Sequence, residues 1–420
     1  MNKSLENVKR IYQEIFSDDI IDFNKLDGNT GNTAFEEIKK RNFNKEIRGY
    51  LPDKNANITR ISPFIKKILT EFDDVVVFAF DALSFNYFKN EIAKFLPVER
   101  GGFGIITSVF PSTTGTAWHS IITGTSPSKS ASYGTSFTHE QFKKNYIWIS
   151  NTTNHKGLRE EVLESSKMKI NLSGKQTLFQ FAKKKGFDSF YTGSHGTSTY
   201  NPFRNELTKG ALHVEPIIPG YAALKRKPAK LLSYFLKQNE AILTQKKQKK
   251  IIWNYIDLDD YIHEMGYEKL GKEIEWKRVF LFWEKWSAVN RIFLFISDHG
   301  QTPQVKRDIE ILKLSAENND LKYNTGGAGR VLFFYPKKGK TQKVKKWIKK
   351  IIGNTGIILN KRDLIRLKLF DKNPKAYKRV GDIIVLATKA SFPSIGCRDY
   401  INEHGSLSEE EMFIPIAFFS

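Results

Sequence analysis

Residues 290–300 read NRIFLFISDHG and residues 73–83 read DDVVVFAFDAL, two unbroken apolar runs that each lead into an aspartate. Neither alternates apolar with polar, as a strand with one wet face would. Both therefore read as strands buried on two faces, which points to a parallel sheet sandwiched between helix layers. GIITSVF (104–110), KKIIWNYIDLDD (249–260), GRVLFFYPK (329–337) and GDIIVLATK (381–389) repeat the pattern. Ligands of open α/β sheets gather beyond the carboxyl ends of the strands, and several of these runs finish on Asp, Ser, Thr or His. The predicted class is α/β, with a mostly parallel central sheet and its polar chemistry at one edge.

Outward from these strands the text changes character. Residues 1–70 read as a polar, mostly helical lead-in packed on the core, ending in SPFIKKILTEF (62–72), whose apolar residues recur at helical spacing. Residues 71–420 read as one α/β domain. Within it, 135–249 is irregular and is expected to form peripheral helices and loops, with a lid among them. The strongly basic 337–379 is expected to form a small α/β appendage, because Trp347, Ile348, Ile351 and Ile352 give it an apolar face.

The chain carries 67 Lys+Arg against 45 Asp+Glu, a formal net charge of +22 over 420 residues. That excess favours anionic partners, whether nucleic acid, an acidic membrane face or phosphorylated substrates. It is equally the mark of a lysine-rich protein with solvated basic faces. The composition excludes a disordered tail protein, a collagen-like fibre and a disulfide scaffold. Cys397 is the single cysteine, so no intramolecular disulfide can form. The start MNKSLENVKRIYQEIF has charge in every turn and no apolar segment of the signal-peptide kind. No membrane span is expected, and a cytoplasmic location is the provisional expectation.

Four segments can carry chemistry: Asp81 after the first run; FPSTTGTAWHSIITGTSP (110–127); DLDDYIHEMG (257–266) with SDHG (297–300); and EHGSLSEEEMFIPI (403–416). Asp259 and His263 are four apart, so on a helix both project from one face at a metal-ligand spacing, with Asp260 the weaker alternative. Asp298 and His299 are adjacent, but at a strand end rolling into a loop both can reach one ion. His404 precedes a glycine and is expected on a loop. Alone, each is commoner as a surface pair, a turn or a capped histidine. Together they place three carboxylates and three imidazoles where they can converge.

In this order the motifs resemble the alkaline phosphatase superfamily, in its type I phosphodiesterase/nucleotide pyrophosphatase branch. The matches are Asp81; Phe110-Pro111-Ser112-Thr113-Thr114 with Thr123-Gly124; Asp259 with His263 and Gly266; Ser297-Asp298-His299-Gly300; and His404-Gly405. Weaker likenesses are TGSHGTSTY (192–200), GRVLFFY (329–335), GDIIVLAT (381–388) and the tail SLSEEEMFIPI (406–416). The resemblance runs from about residue 71 to 420. It implies an alkaline-phosphatase-like three-layer sandwich and two divalent metal ions, with zinc usual and manganese possible. Carried over residue by residue, it assigns Asp259, His263 and His404 to one ion, and Asp81, Asp298, His299 and the nucleophile Thr114 to the other.

The implied activity is hydrolysis of phosphate esters, most readily phosphodiester or nucleotide pyrophosphate bonds, through a phosphothreonine intermediate. Two divalent ions against three carboxylates leave about one positive charge. That suits a diester, with one negative charge, better than a monoester, which carries nearly two and usually needs an added Arg or Lys. A phosphomonoesterase or phosphonate hydrolase of the same fold is the alternative. In another class stands a basic anion-binding protein with a vestigial metal site. The implied partner is a phosphate-ester small molecule or nucleotide; nucleic-acid binding is not favoured.

Thr113 is the rival nucleophile. Thr114 is preferred because it falls ten residues before Gly124, as in the family. His119 is read as structural, and His139, His155, His195 and His213 as non-ligands. One departure concerns the next loop, where the family often supplies an Asn for a phosphate oxygen. GTSFTHEQF (134–142) offers Thr135, Ser136 or nothing there. Trp118, Tyr133 and Tyr255 could stack on a base, though core packing is the plainer reading of each.

Overall fold

The protein is described from a computed structural model, which covers residues 3–17, 30–97, 99–139, 144–147, 152–155, 158–162, 175–193, 202–215, 221–245, 249–305, 309–371, 373–397 and 399–420. In chain order the strands of its two large sheets are β1 (Asp74–Phe80), β2 (Gly101–Thr107), β3 (Ser136–His139), β4 (Lys144–Ile147), β5 (Thr152–His155), β6 (Leu158–Val162), β7 (Asp188–Thr192), β8 (His213–Val214), β9 (Lys250–Ile256), β10 (Arg291–Ser297), β11 (Leu321–Ala328), β12 (Val331–Pro336), β13 (Gly356–Asn360), β14 (Ile383–Ala387) and β15 (Phe413–Phe419). The helices used below are α1 (Lys3–Phe16), α2 (Ile61–Glu71), α3 (Thr114–Thr123), α4 (Pro228–Leu243), α5 (Asp259–Glu273), α6 (Lys277–Lys285) and α7 (Thr341–Ile352).

The central sheet runs β8-β7-β9-β1-β10-β15-β2, and its first five strands pair in parallel. β15 alone is reversed, pairing antiparallel with both β10 and β2. The reason the strands read as continuous apolar runs is visible in the two cores. Val75, Val77, Ala79, Trp253 and Leu294 face one layer with Tyr12 of α1, Phe64 of α2 and Trp118 of α3. Val76, Phe78, Phe80, Ile252 and Phe295 face the other with Phe235 of α4 and Trp283 of α6. Burying each Val, Leu, Ile or Phe side chain there contributes about 1.5–3 kcal/mol before entropy is counted. This is a three-layer sandwich with a mostly parallel central sheet.

Register then decides where the site lies. Phe80 is level with Ile256 on β9 and with Ser297 on β10. Three neighbouring strands therefore end together, and the residues that follow them (Asp81, the 257–260 turn and Asp298) emerge side by side.

The segment 135–249 is more than peripheral helices and loops. It supplies β7 and β8 to the central sheet, and β3, β4, β5 and β6 to the second sheet. DSFYT at β7 is short and carries Ser189 and Thr192 inside, so it lacks the apolar run that marks the other strands. The second sheet runs β13-β14-β12-β11-β3-β4-β5-β6. The basic stretch 337–379 supplies β13 to it and packs α7 on it through Val344, Ile348 and Ile352, against Leu332, Phe334 and Val385. Lys343, Lys346, Lys349 and Lys350 stay on the wet side of α7. Among the described residues no helix is long and apolar enough to cross a membrane.

Candidate functional site

Asp81, Asp298 and His299 meet just beyond the ends of β1 and β10. The Nε2 atom of His299 is 3.5 Å from Asp81 Oδ1 and 3.3 Å from Asp298 Oδ2. Asp259 opens α5 and His263 follows one turn later, so both point the same way; His263 Nε2 is 3.3 Å from Asp259 Oδ2. His404 comes from the loop before β15 and turns Nε2 to within 3.6 Å of Asp259 Oδ1. The rings of His299 and His404 lie 4.1 Å apart, so the two groups adjoin.

All three imidazoles are oriented alike. His263 Nδ1 faces the carbonyl of Asn402 at 2.8 Å, His299 Nδ1 that of Gly300 at 3.1 Å, and His404 Nδ1 that of Ser112 at 3.0 Å. A carbonyl can only accept, so each Nδ1 carries a proton, and each Nε2, when deprotonated, presents a lone pair to the carboxylates. That is how backbone partners prepare histidines for a metal. Lone pairs facing carboxylate oxygens repel unless a cation or proton lies between them.

The titration behaviour follows from the same crowding. Burial, then the charges of Asp298 and Asp259, hold the Asp81 carboxyl well above its ordinary range. Burial does the same to Asp298. Burial and the neighbouring His404 keep His299 well below the usual imidazole range. Burial opposes the charge on Asp259, but His263 and His404 outweigh it and hold that carboxylate low. Asp298 is fully buried, and its Oδ2 has no hydrogen-bond partner. Its Oδ1 accepts from the N–H of Ala82 at 3.1 Å.

Thr114 completes the group. It opens α3 after Thr113, whose extended backbone (φ −149°, ψ 146°) turns the chain into the helix. Its Oγ1 lies 3.4 Å from Asp81 Oδ1 and 3.3 Å from His299 Nε2. The Thr113 hydroxyl turns the other way, 3.1 Å from that of Thr135. Thr114 is thus at a helix N-terminus, where free N–H groups and the helix dipole favour an anion. A cavity of ≈ 250 Å³ opens there, lined among others by Thr113, Thr114, Thr135, Ser136, Asp259 and His404.

All seven candidate residues, Asp81, Thr114, Asp259, His263, Asp298, His299 and His404, therefore come together. His119 and Trp118 are buried on α3 away from the clusters, Tyr133 is core, and His213 stacks on Phe190 at 4.5 Å. His195 lies outside the described residues, as do the side chains of His139 and His155. Sequence reasoning missed several supporting groups. Tyr255 is buried edge-on to Trp118 and its hydroxyl donates to Asp81. The signal was present, since a tyrosine inside a buried strand needs a partner for its hydroxyl. Gln301, next to the SDHG motif, donates from Nε2 to Asp259 Oδ1 at 2.6 Å. Glu403 stands beside His263 and His404.

Gly300 of the SDHG motif has a packing reason. A Cβ there would lie 2.0 Å from the backbone oxygen of Glu410 and 2.7 Å from Ser84 Cβ. Gly300→Ala is therefore expected to cost about 2 kcal/mol or more, read as a lower denaturant midpoint at unchanged slope. An unchanged midpoint would show that the turn yields freely.

The sequence matches the type I phosphodiesterase / nucleotide pyrophosphatase family over residues 75–398. The chain belongs to that family. This type I phosphodiesterase-family protein is similar in structure to murine ectonucleotide pyrophosphatase / phosphodiesterase 5, with a TM-score of 0.54 at 14% identity over 82% of this chain and 87% of that one. The human protein of the same name gives 0.56 at 13% identity, with the same 82% and 87% covered. Phosphonoacetate hydrolase from Sinorhizobium meliloti, in complex with phosphonoacetate, gives 0.55 at 16% identity over 83% of this chain and 90% of that one. At these identities the likeness is one of fold. No curated protein matches the chain in sequence. Members of the family are metal-dependent hydrolases, and membership makes this protein a hydrolase of phosphate esters.

Proposed function

We propose that the protein hydrolyses phosphodiester or nucleotide pyrophosphate bonds with two divalent ions, through a phosphothreonine formed on Thr114. The observation that carries this is the position of the Thr114 hydroxyl, within 3.4 Å of both Asp81 and His299 at the mouth of a helix. The donor set fits divalent cations. Two buried carboxylates, Asp81 and Asp298, and the half-buried Asp259 face three imidazole Nε2 atoms, and Asp298 Oδ2 accepts no hydrogen bond. Asp259, His263 and His404 would hold one ion, and Asp81, Asp298, His299 and Thr114 the other. Zinc suits this mixture of oxygen and nitrogen donors, and manganese is compatible. Bound there, the ions lower the pKa of the hydroxyl and neutralise charge on the phosphoryl oxygens.

The protein's own groups do the rest. Thr114 Oγ1 attacks phosphorus, and the bond to the leaving alcohol or phosphate breaks on the opposite side. The phosphoryl group, now esterified to Thr114, is released when water attacks the same phosphorus, and the hydroxyl is restored. Tyr255 and Gln301 hold Asp81 and Asp259 in place. The N-terminal amides of α3 favour the anionic phosphoryl group. Among the described residues no Lys or Arg lines the cavity, which favours a singly charged diester over a monoester.

Metal analysis of the purified protein, together with rates on nitrophenyl-thymidine phosphate and nitrophenyl phosphate, tests the reading. About two ions per chain are expected, with the diester favoured at least about tenfold in kcat/KM. A faster monoester would reassign the protein to the phosphomonoesterases. Salt-dependent nucleic-acid binding with no hydrolysis would leave only a basic binding protein.

A further inference from the structure

Glu403 is buried, and among the described residues no Lys or Arg side chain pairs with it. Its Oε1 accepts from the backbone N–H of His404 at 3.0 Å, and its Oε2 has no hydrogen-bond partner. Among the described residues its ion-pairing neighbours are the imidazoles alone: Oε1 lies 3.9 Å from His263 Nδ1 and 3.9 Å from His404 Nε2. Neither ring offers Glu403 a proton, because each Nδ1–H is spent on a carbonyl, of Asn402 or of Ser112. The carboxylate is also given room. A Cβ on Gly396 would lie 1.8 Å from Oε2 and one on Gly329 would lie 2.2 Å from Oε1, so a side chain at either place would have to push the carboxylate aside. A carboxylate buried in this way is costly unless a positive charge stands beside it.

We infer that Glu403 is a fourth carboxylate of the site, beside the cation that Asp259, His263 and His404 would hold, and that it selects against doubly charged phosphates. The inference rests on the two-ion reading above and deepens it. Four carboxylates against two divalent ions bring the formal charge to about zero. A dianionic monoester, or free phosphate, then meets no net attraction, while a monoanionic diester meets no net penalty.

The test compares wild type with Glu403→Gln by calorimetric titration, first of zinc into metal-free protein, then of inorganic phosphate into the zinc-loaded form. The variant is expected to bind one of its two zinc ions about tenfold more weakly. It is expected to bind phosphate at least about tenfold more tightly, because one negative charge has gone. Glu403→Asp keeps the charge and should retain the wild-type phosphate affinity. Gly396→Ala pushes the carboxylate aside with its charge intact, and should weaken zinc even if Glu403→Gln does not fold. Zinc affinity unchanged in both Glu403→Gln and Gly396→Ala, or phosphate affinity unchanged in Glu403→Gln, overturns the inference. A wild type that binds no zinc overturns the two-ion reading itself. A wild type with two ions and diesterase activity, matched by an indifferent Glu403→Gln, overturns only the role of Glu403.

Discussion

Thr114→Ala is expected to lower kcat by about 10⁴-fold or more while the protein keeps its two ions, since removing a catalytic nucleophile commonly costs that much. The variant loses the one hydroxyl that lies beside both Asp81 and His299, at 3.4 and 3.3 Å. Six other donors remain to hold the metal, so metal content separates loss of the nucleophile from loss of the site. Thr113→Ala is the control. Its hydroxyl faces Thr135 at 3.1 Å and caps no backbone N–H of the helix, so its loss is expected to cost less than about tenfold. Rapid quench of wild type with a labelled diester should trap phosphate on the protein, and Thr114→Ala should trap none. Normal turnover in Thr114→Ala, or a label that stays in that variant, would remove Thr114 as nucleophile.

The sequence revealed the parts of this molecule that are written in local periodicity. β1, β9 and β10 are buried on both faces, and that burial is what made them unbroken apolar runs ending on polar residues. Asp259 and His263 were legible as a pair because helical spacing alone aligns them. The meeting of Asp81, Asp298 and His404 was not local. It depends on Phe80, Ile256 and Ser297 standing level in the sheet, and on a loop from the far end of the chain crossing that edge. Only the resemblance of ordered motifs made that meeting expected. β7 escaped notice because DSFYT is short and half polar, yet its neighbour β9 supplies enough register to hold it. Glu403 escaped notice because nothing in its sequence distinguishes a buried glutamate from an exposed one. What sets it apart is an Oε2 atom without a hydrogen bond and the close approach of Gly329 and Gly396.

Zinc binding to the metal-free protein at pH 7 is expected to release about two protons or more per chain, because ligands must be deprotonated to bind metal. Burial opposes the charge on His263, but Asp259 and Glu403 raise its pKa to about 10, so without metal the ring is protonated at neutral pH. Asp81 and Asp298 are held well above the ordinary carboxylate range, by burial first and by neighbouring carboxylates second, and keep protons in the same way. Protons occupy the places that cations would take. The sign for stability follows. A histidine whose folded pKa exceeds its ordinary 6.5 contributes stability that is full below 6.5 and is lost as pH rises through about 10. His299 does not oppose this above pH 7, because its pKa is lowered and it is neutral both folded and unfolded there. The chelated protein should therefore lose about 1.4 kcal/mol per pH unit between pH 7 and 9 through His263 alone, and more wherever Asp81 and Asp298 still keep their protons. The zinc-loaded protein should show no such slope, since its ligands are already deprotonated. Titrations in buffers of different ionisation enthalpy count the protons, and melting curves at pH 7, 8 and 9 with and without chelator read the slope. Zinc binding with no proton release would mean that the ion sits elsewhere than on His263, Asp81 and Asp298.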